Sequence, residues 1–177
     1  GYLDNWQFAY PLLKKYGLKG TIFVNPEFVD LKSGVRPNLE DVWNGWAKED
    51  GLQQWGFLSW EEMRVMEQSG VIDIQSHTMT HTKYFVSDKV IDFHRPAADS
   101  LYYIGNKNID RKPYYISDPA FDQLLPYGYP VFEMQSAVIA RKIDINKEFV
   151  EYCTEVLRDY DFSKYNFDDA FAKVKGK

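Results

Sequence analysis

From the start of the chain, apolar side chains at Trp6, Ala9, Leu12, Leu13 and Tyr16 recur three or four positions apart, the spacing of one helix face. Gly17 stands where that helix would end, and Pro11 is a local flaw within it. The next apolar run, Gly20-Thr21-Ile22-Phe23-Val24-Asn25, is short, β-branched and closed by Asn25-Pro26, which predicts a buried strand. Residues 27–57 mix Gly, Pro and Trp without a period and predict a loop-rich excursion with one short helix around Leu39–Ala47. Ser59-Trp60-Glu61-Glu62 then has capping-box spacing: the Ser hydroxyl can cap an N–H one turn on while Glu62 reaches back. The helix it opens runs through Met63, Val65 and Met66 to Gly70, and Val71-Ile72-Asp73-Ile74-Gln75 follows at once as a second strand. Helix, Gly and short strand have now occurred twice, the rhythm of a parallel sheet with helices outside it, in the α/β layer or barrel class.

The pattern changes after His81. Residues 84–135 carry many Tyr, Pro and Asp with no sustained period, and predict a long, partly extended insertion. Helical spacing returns from Ile145 to Tyr160, with Phe149, Tyr152, Cys153, Val156 and Leu157 on one face, and again from Phe167 to Val174.

Composition narrows the classes. With 177 residues, 45% of them hydrophobic and 27% charged, the chain has the size and balance of one globular domain. A net charge of −5 gives phosphate backbones and anionic lipid little to hold, and no apolar run approaches the ~18 residues of a membrane span. Nucleic-acid and transmembrane readings are therefore set aside. The single cysteine, Cys153, allows no intramolecular disulfide and no Cys-based zinc site, and its helical neighbours predict a small buried residue. The 12 Phe, 5 Trp and 13 Tyr suit sugar-binding surfaces, although aromatic side chains fill cores more often. No signal-peptide pattern and no initiator Met open the chain, which reads as cut at the front.

Two of the three histidines lie in Ser76-His77-Thr78-Met79-Thr80-His81, directly after the second predicted strand. Loops leaving the C-terminal ends of parallel strands build the active sites of this fold class. His-x-x-x-His spacing brings two imidazoles onto one face of a helical turn, so His77 and His81 are candidate ligands of one metal ion. Two polar loop histidines are the ordinary alternative, and a catalytic zinc needs a third protein ligand. Asp168-Asp169 reads as a solvated helix face.

Several of these segments together resemble the polysaccharide deacetylases, the NodB-homology domain or carbohydrate esterase family 4. Gly1-Tyr2-Leu3-Asp4-Asn5 is similar to the continuation of that family's first motif, T-F-D-D-G. Tyr10–Gly17, Thr21–Val24 and Leu58–Glu62 follow in the family's order, and Ser76–His81 matches its second motif, H-[ST]-x-x-H. The resemblance spans residues 1 to about 82. It implies an incomplete or distorted (β/α) barrel, a single partial deacetylase domain over 1–177 with 84–135 inserted in it. It also implies a divalent metal, zinc above all, held by His77 and His81 with an Asp of the first motif, and a second Asp as general base. Both Asp residues would precede Gly1, so the chain by itself is expected to be inactive. The substrate implied is an acetylated polysaccharide or oligosaccharide that loses N-acetyl or O-acetyl groups, in a secreted or envelope-associated setting. Arg111-Lys112-Pro113-Tyr114 carries the letters of the third motif, R-x-P-[YFW], which makes Arg111 and Tyr114 candidate substrate-binding residues beside the plain alternative of a solvated loop. Later motifs, including the catalytic-acid His, are expected beyond Lys177, with His94 a weaker candidate for that acid. The competing reading is a non-catalytic module of the same fold that binds sugar or a protein partner through Tyr102–Tyr129. A strand edge left without a neighbour would favour a homo-oligomer.

Overall fold

The computed structural model describes residues 1–98, 109–114, 116 and 125–176, and the structure falls into two units. The first comprises Gly1–Thr80 with Asp110–Asp118, the second His81–Ile109 with Pro119–Lys177. Much of the Tyr-rich stretch from Tyr102 lies outside the described residues.

In the first unit the opening helix forms as its spacing predicts, with one difference. Asn5–Ala9 is wound as a π-turn that passes into α1 (Tyr10–Lys15). Pro11, the second residue of α1, has no N–H to donate back into the π-turn, so one ladder bond is missing where the two helical pieces join. Gly17 ends the helix at φ +65°, a left-handed conformation that glycine enters without a Cβ penalty. Strand β1 (Gly20–Val24) follows, and the short helix α2 (Leu39–Trp43) stands inside the loop-rich excursion. Helix α3 (Trp60–Gln68) begins on the expected capping box: Ser59 Oγ accepts from the Glu62 N–H at 3.1 Å, and Glu62 Oε2 accepts from the Ser59 N–H at 2.9 Å. Strand β2 (Ile72–Ser76) pairs in parallel with β1, from Gly20 opposite Ile72 to Val24 opposite Ser76. The core gathers Leu3, Trp6, Val24, Leu58, Met66 and Ile72, contributed by both strands, both helical segments and the chain start.

Strand β1 is less buried than its sequence predicts. Thr21 and Phe23 point away from the core, and Phe23 is 59% exposed, because helices cover one face of the β1–β2 pair. Only alternate residues of such a strand are buried.

The second unit is built on β3 (Lys83–Phe93) and β4 (Pro130–Ser136), paired antiparallel. These are the extended parts of the stretch read as an insertion. Helices α4 (Lys147–Val156) and α5 (Phe167–Lys175) realise the two helical patterns near the end of the chain. Phe85 and Phe132 meet edge to face across the strands at 5.4 Å, and the Tyr152 hydroxyl ties the helices by donating to the Val174 carbonyl. Among the described residues each sheet has two strands and neither closes, so the architecture is mixed α/β without a closed barrel.

Candidate functional site

The site begins where β1 and β2 end. Parallel pairing brings both C-terminal ends to one side, and the His77 N–H donates to the Val24 carbonyl at 3.0 Å, extending the ladder by one bond. Asn25, just after β1, then reaches the loop after β2: its side-chain N–H2 donates to the Thr78 carbonyl at 2.8 Å and to Thr78 Oγ1 at 3.0 Å. The Glu27 N–H donates to the Met79 carbonyl at 3.2 Å. Asn25-Pro26, a turn signal in the sequence, thus works as a brace for the two-histidine loop.

His77 is exposed on this loop, and His81, also exposed, is the first residue of the second unit. Residues 77–82 are not helical, contrary to the helical turn that His-x-x-x-His spacing suggests. His81 instead takes φ +39°, a left-handed conformation uncommon outside glycine. The bonds from Asn25 and Glu27 hold Thr78 and Met79 in an open loop rather than in a turn of helix.

The segment that carries the third-motif letters lies in a 3₁₀ stretch, Ile109–Tyr114, and from Asp110 on it belongs to the first unit. The Arg111 side chain lies outside the described residues. Tyr114 does not reach outward with its hydroxyl, which donates to Asp30 Oδ1 at 3.1 Å, while Lys32 Nζ stands 4.8 Å from its ring centre. Lys112, between them, is 1% exposed. Its ammonium donates to Glu27 Oε2 at 2.8 Å and to the Thr80 carbonyl at 2.6 Å, and lies 4.7 Å from the centre of the Phe28 ring.

Asp30 is the centre of a second group that the sequence did not reveal. Burial pushes its carboxyl up, but bonds from Ser33, the Lys32 N–H and Tyr114 outweigh that and hold it below the usual carboxylate range. Burial first, and then the Asp30 charge, raises the Tyr114 hydroxyl above its ordinary value. Arg36 bridges Asp30 to the buried Glu62, with Nε 2.7 Å from Glu62 Oε1, Nη2 2.7 Å from Oε2 and Nη1 3.3 Å from Asp30 Oδ2. This network joins the loop after β1 to the first turn of α3 and is structural in character.

Other sequence candidates find ordinary places. His94 is fully buried; its N–H donates to the Tyr129 carbonyl and its carbonyl accepts from the Gly128 N–H, each at 2.8 Å. Asp168 and Asp169 are exposed in the first turn of α5, where negative charge suits the helix dipole. Cys153 is buried as its helical position implies, and burial pushes its thiol up to about 11, so it stays protonated at neutral pH.

Imidazole nitrogen suits zinc, so His77 and His81 fit the metal in kind. Among the described residues, however, no group of three or more His, Cys, Asp or Glu side chains is placed to hold an ion.

Comparison with known proteins gives the family of the chain. A family model described as polysaccharide deacetylase matches residues 1–113, a span that includes β1, β2, both loop histidines and the 3₁₀ stretch as far as Pro113. A protein of Bacillus subtilis (strain 168), named "Putative polysaccharide deacetylase YxkH", is 37% identical over 81 residues, which are 46% of this chain and 20% of that protein. The chain thus matches about a fifth of that relative's length. No solved structure matches it. Since the family model covers more than half of the residues, including the strand pair and the histidine loop that the structure builds around, the chain belongs to the polysaccharide deacetylase family.

Proposed function

We propose that residues 1–177 form part of a metal-dependent polysaccharide deacetylase, a hydrolase that removes N-acetyl or O-acetyl groups from a glycan outside the cytoplasm. The observation that carries this reading is the two-histidine loop at the C-terminal end of the β1–β2 pair, braced by Asn25 and Glu27. In this reading His77 and His81 hold the ion, with zinc favoured by two imidazole donors. When bound, a divalent metal supplies a water of lowered pKa and polarises the acetyl carbonyl. In this reading Arg111 and Tyr114 are the candidate substrate-binding residues, and Tyr114 offers its ring, because Asp30 engages its hydroxyl. The third ligand and the carboxylate that takes the water's proton come from the first-motif Asp pair, outside residues 1–177.

Calorimetric titration and activity assays test this together. The chain should bind zinc weakly, and His77→Ala should bind it more weakly still. Deacetylation of acetylated chito-oligosaccharides should remain at background with zinc or cobalt, and should appear when a chain beginning with the Asp pair is assayed. Equal zinc affinity in wild type and His77→Ala would remove the metal site. One observation favours a second reading, a non-catalytic carbohydrate- or protein-binding module: the described residues gather no three-donor group. Glycan binding without metal, together with no activity in the longer chain, would decide for it.

A further inference from the structure

Trp55 and Tyr2 are large aromatic side chains left in water, 64% and 49% exposed, on one side of the first unit. With Asp4, Gln54, Gly56 and the half-buried Ile116 they line a cavity of about 340 Å³. That volume is at the small end of the range for ligand pockets, about 300–1,000 Å³, and suits one ring rather than a stretch of polymer. Apolar walls with a few converging polar groups are the usual make-up of such pockets.

The fold sets these rings in place before any ligand arrives. Tyr2 and Phe57 form an antiparallel bridge, and their rings stack at 5.1 Å. Phe57 packs in turn on Phe28 at 4.8 Å, and both are buried, so the Tyr2 ring leans on the core while half of it stays in water. Trp55 is fixed through its backbone: the Gln53 side-chain amide donates to its carbonyl at 2.6 Å, and the carbonyl of the next residue, Gly56, accepts the Leu3 N–H at 3.0 Å. Such preorganisation removes the cost of ordering a surface on binding. The Gly1 nitrogen donates to the Phe23 carbonyl at 3.3 Å, one residue before Val24, whose carbonyl accepts the His77 N–H. Tyr2 therefore stands at the same end of the β1–β2 pair as His77.

The polar groups narrow the ligand. Asp4 and Gln54, both exposed, bring a carboxylate and an amide to the cavity, and the Asn5 amide steadies the carboxylate by donating to Asp4 Oδ1 at 3.1 Å. None of the six lining residues is cationic. Arg36, which lies near Gly56, is engaged by Glu62, Asp30 and the Phe57 carbonyl. A purely apolar ligand would leave the carboxylate and amide unused, and an anionic one would meet Asp4 at close quarters. A pyranose ring matches the whole set, because its C–H face lies flat on an aromatic ring while its hydroxyls pair with a carboxylate and an amide.

We propose that this cavity is a subsite for one pyranose ring of an uncharged glycan, with Trp55 and Tyr2 as its platform and Asp4 and Gln54 taking hydroxyls. The proposal rests on the reading of the chain as part of a glycan deacetylase, in which it holds the polymer at a sugar other than the reacting one. It needs no metal.

The test follows the Trp55 indole N–H of the chain by nuclear magnetic resonance, in chelator, during titration with N-acetylchitopentaose and separately with pentagalacturonate. The chitopentaose should move the Trp55 signal to saturation. Trp55→Ala should weaken its binding about tenfold and Trp55→Phe, which keeps a ring face, about threefold, the scale of one aromatic contact. Pentagalacturonate should bind at least about tenfold more weakly, and Asp4→Asn should narrow that gap. An unmoved Trp55 signal overturns the proposal, as does equal chitopentaose affinity in wild type and Trp55→Ala, or equal affinity of wild type for the two sugars. Undiminished sugar binding with reduced self-association in Trp55→Ala also overturns it, and makes the platform a contact between chains. His77→Ala should bind chitopentaose as wild type does. Should zinc bind wild type and His77→Ala alike, the metal reading fails by itself, and the Trp55 signal still decides the subsite.

Discussion

At the scale of single residues, the first unit depends on charges that are buried and paired. Glu62 is fully buried, accepts the Ser59 and Arg36 N–H groups, and takes a two-pronged bond from the Arg36 guanidinium. Removing one partner of such a pair leaves the other uncompensated, at a cost of about 3–5 kcal/mol. Glu62→Leu should therefore lower stability by about that much in urea unfolding, and a loss below about 1 kcal/mol would show that Arg36 finds water instead. Asp30 adds a pH dependence. Its carboxyl is held below the ordinary value, so its stabilising contribution is complete above the unfolded-state pKa of about 4 and is lost as pH falls through the lower folded-state value. The melting temperature should drop on acidification below about pH 4, and Asp30→Asn should be less stable at neutral pH with a shallower acid slope. An unchanged slope would assign the acid response to other carboxylates.

At the scale of elements, local signals were legible wherever a few adjacent residues decide the outcome. Ser59 with Glu62 fixed the start of α3, Gly17 the end of α1, and the apolar spacing of Phe149, Cys153 and Val156 the course of α4. Strands β3 and β4 were not legible, because their register shifts between Phe85 and Val90 and again between Val90 and Asp92, which destroys the period of two that marks a strand. The site divides in the same way. His77 and His81 stand out as candidates by their spacing, although the helical turn it suggests does not form, whereas Lys112 and Arg36 look like surface residues until distant parts of the chain bury the first and pair the second. Gly128 is another case. It sits at φ +83°, and a Cβ there would lie 2.8 Å from Leu157 Cβ, so the approach of the residues before β4 to the end of α4 admits only glycine. Gly17 is also left-handed, but a Cβ there would meet nothing within 4 Å. Gly17→Ala should cost about 1 kcal/mol and Gly128→Ala about 3 kcal/mol, the difference being overpacking against Leu157. Equal losses in denaturant unfolding would show that Leu157 yields.

At the scale of the whole molecule, the exposed strand edges set its behaviour in solution. Among the described residues β1 and β2 pair only with each other, so each has an outer edge that no third strand covers. Part of each edge is occupied: the Gly1 amine donates to the Phe23 carbonyl at 3.3 Å, and the Glu67 carboxylate accepts the Ile74 N–H at 2.8 Å. A side chain that takes an edge N–H is one way a sheet resists pairing with another chain, but a single bond does not mask a five-residue strand. Phe23 adds apolar surface on β1, being 59% exposed. The net charge of −5 opposes association, and salt screens that repulsion beyond about 8 Å at physiological ionic strength. The chain should therefore self-associate, more strongly as salt rises, with a weight-average mass that climbs with concentration in sedimentation velocity. Phe23→Glu puts a charge on the exposed face of β1 and should return the mass to that of one chain, while Glu67→Ala uncovers the Ile74 N–H and should strengthen association. A single-chain mass at every concentration and salt would mean that the occupied bonds at Phe23 and Ile74 are enough to close these edges.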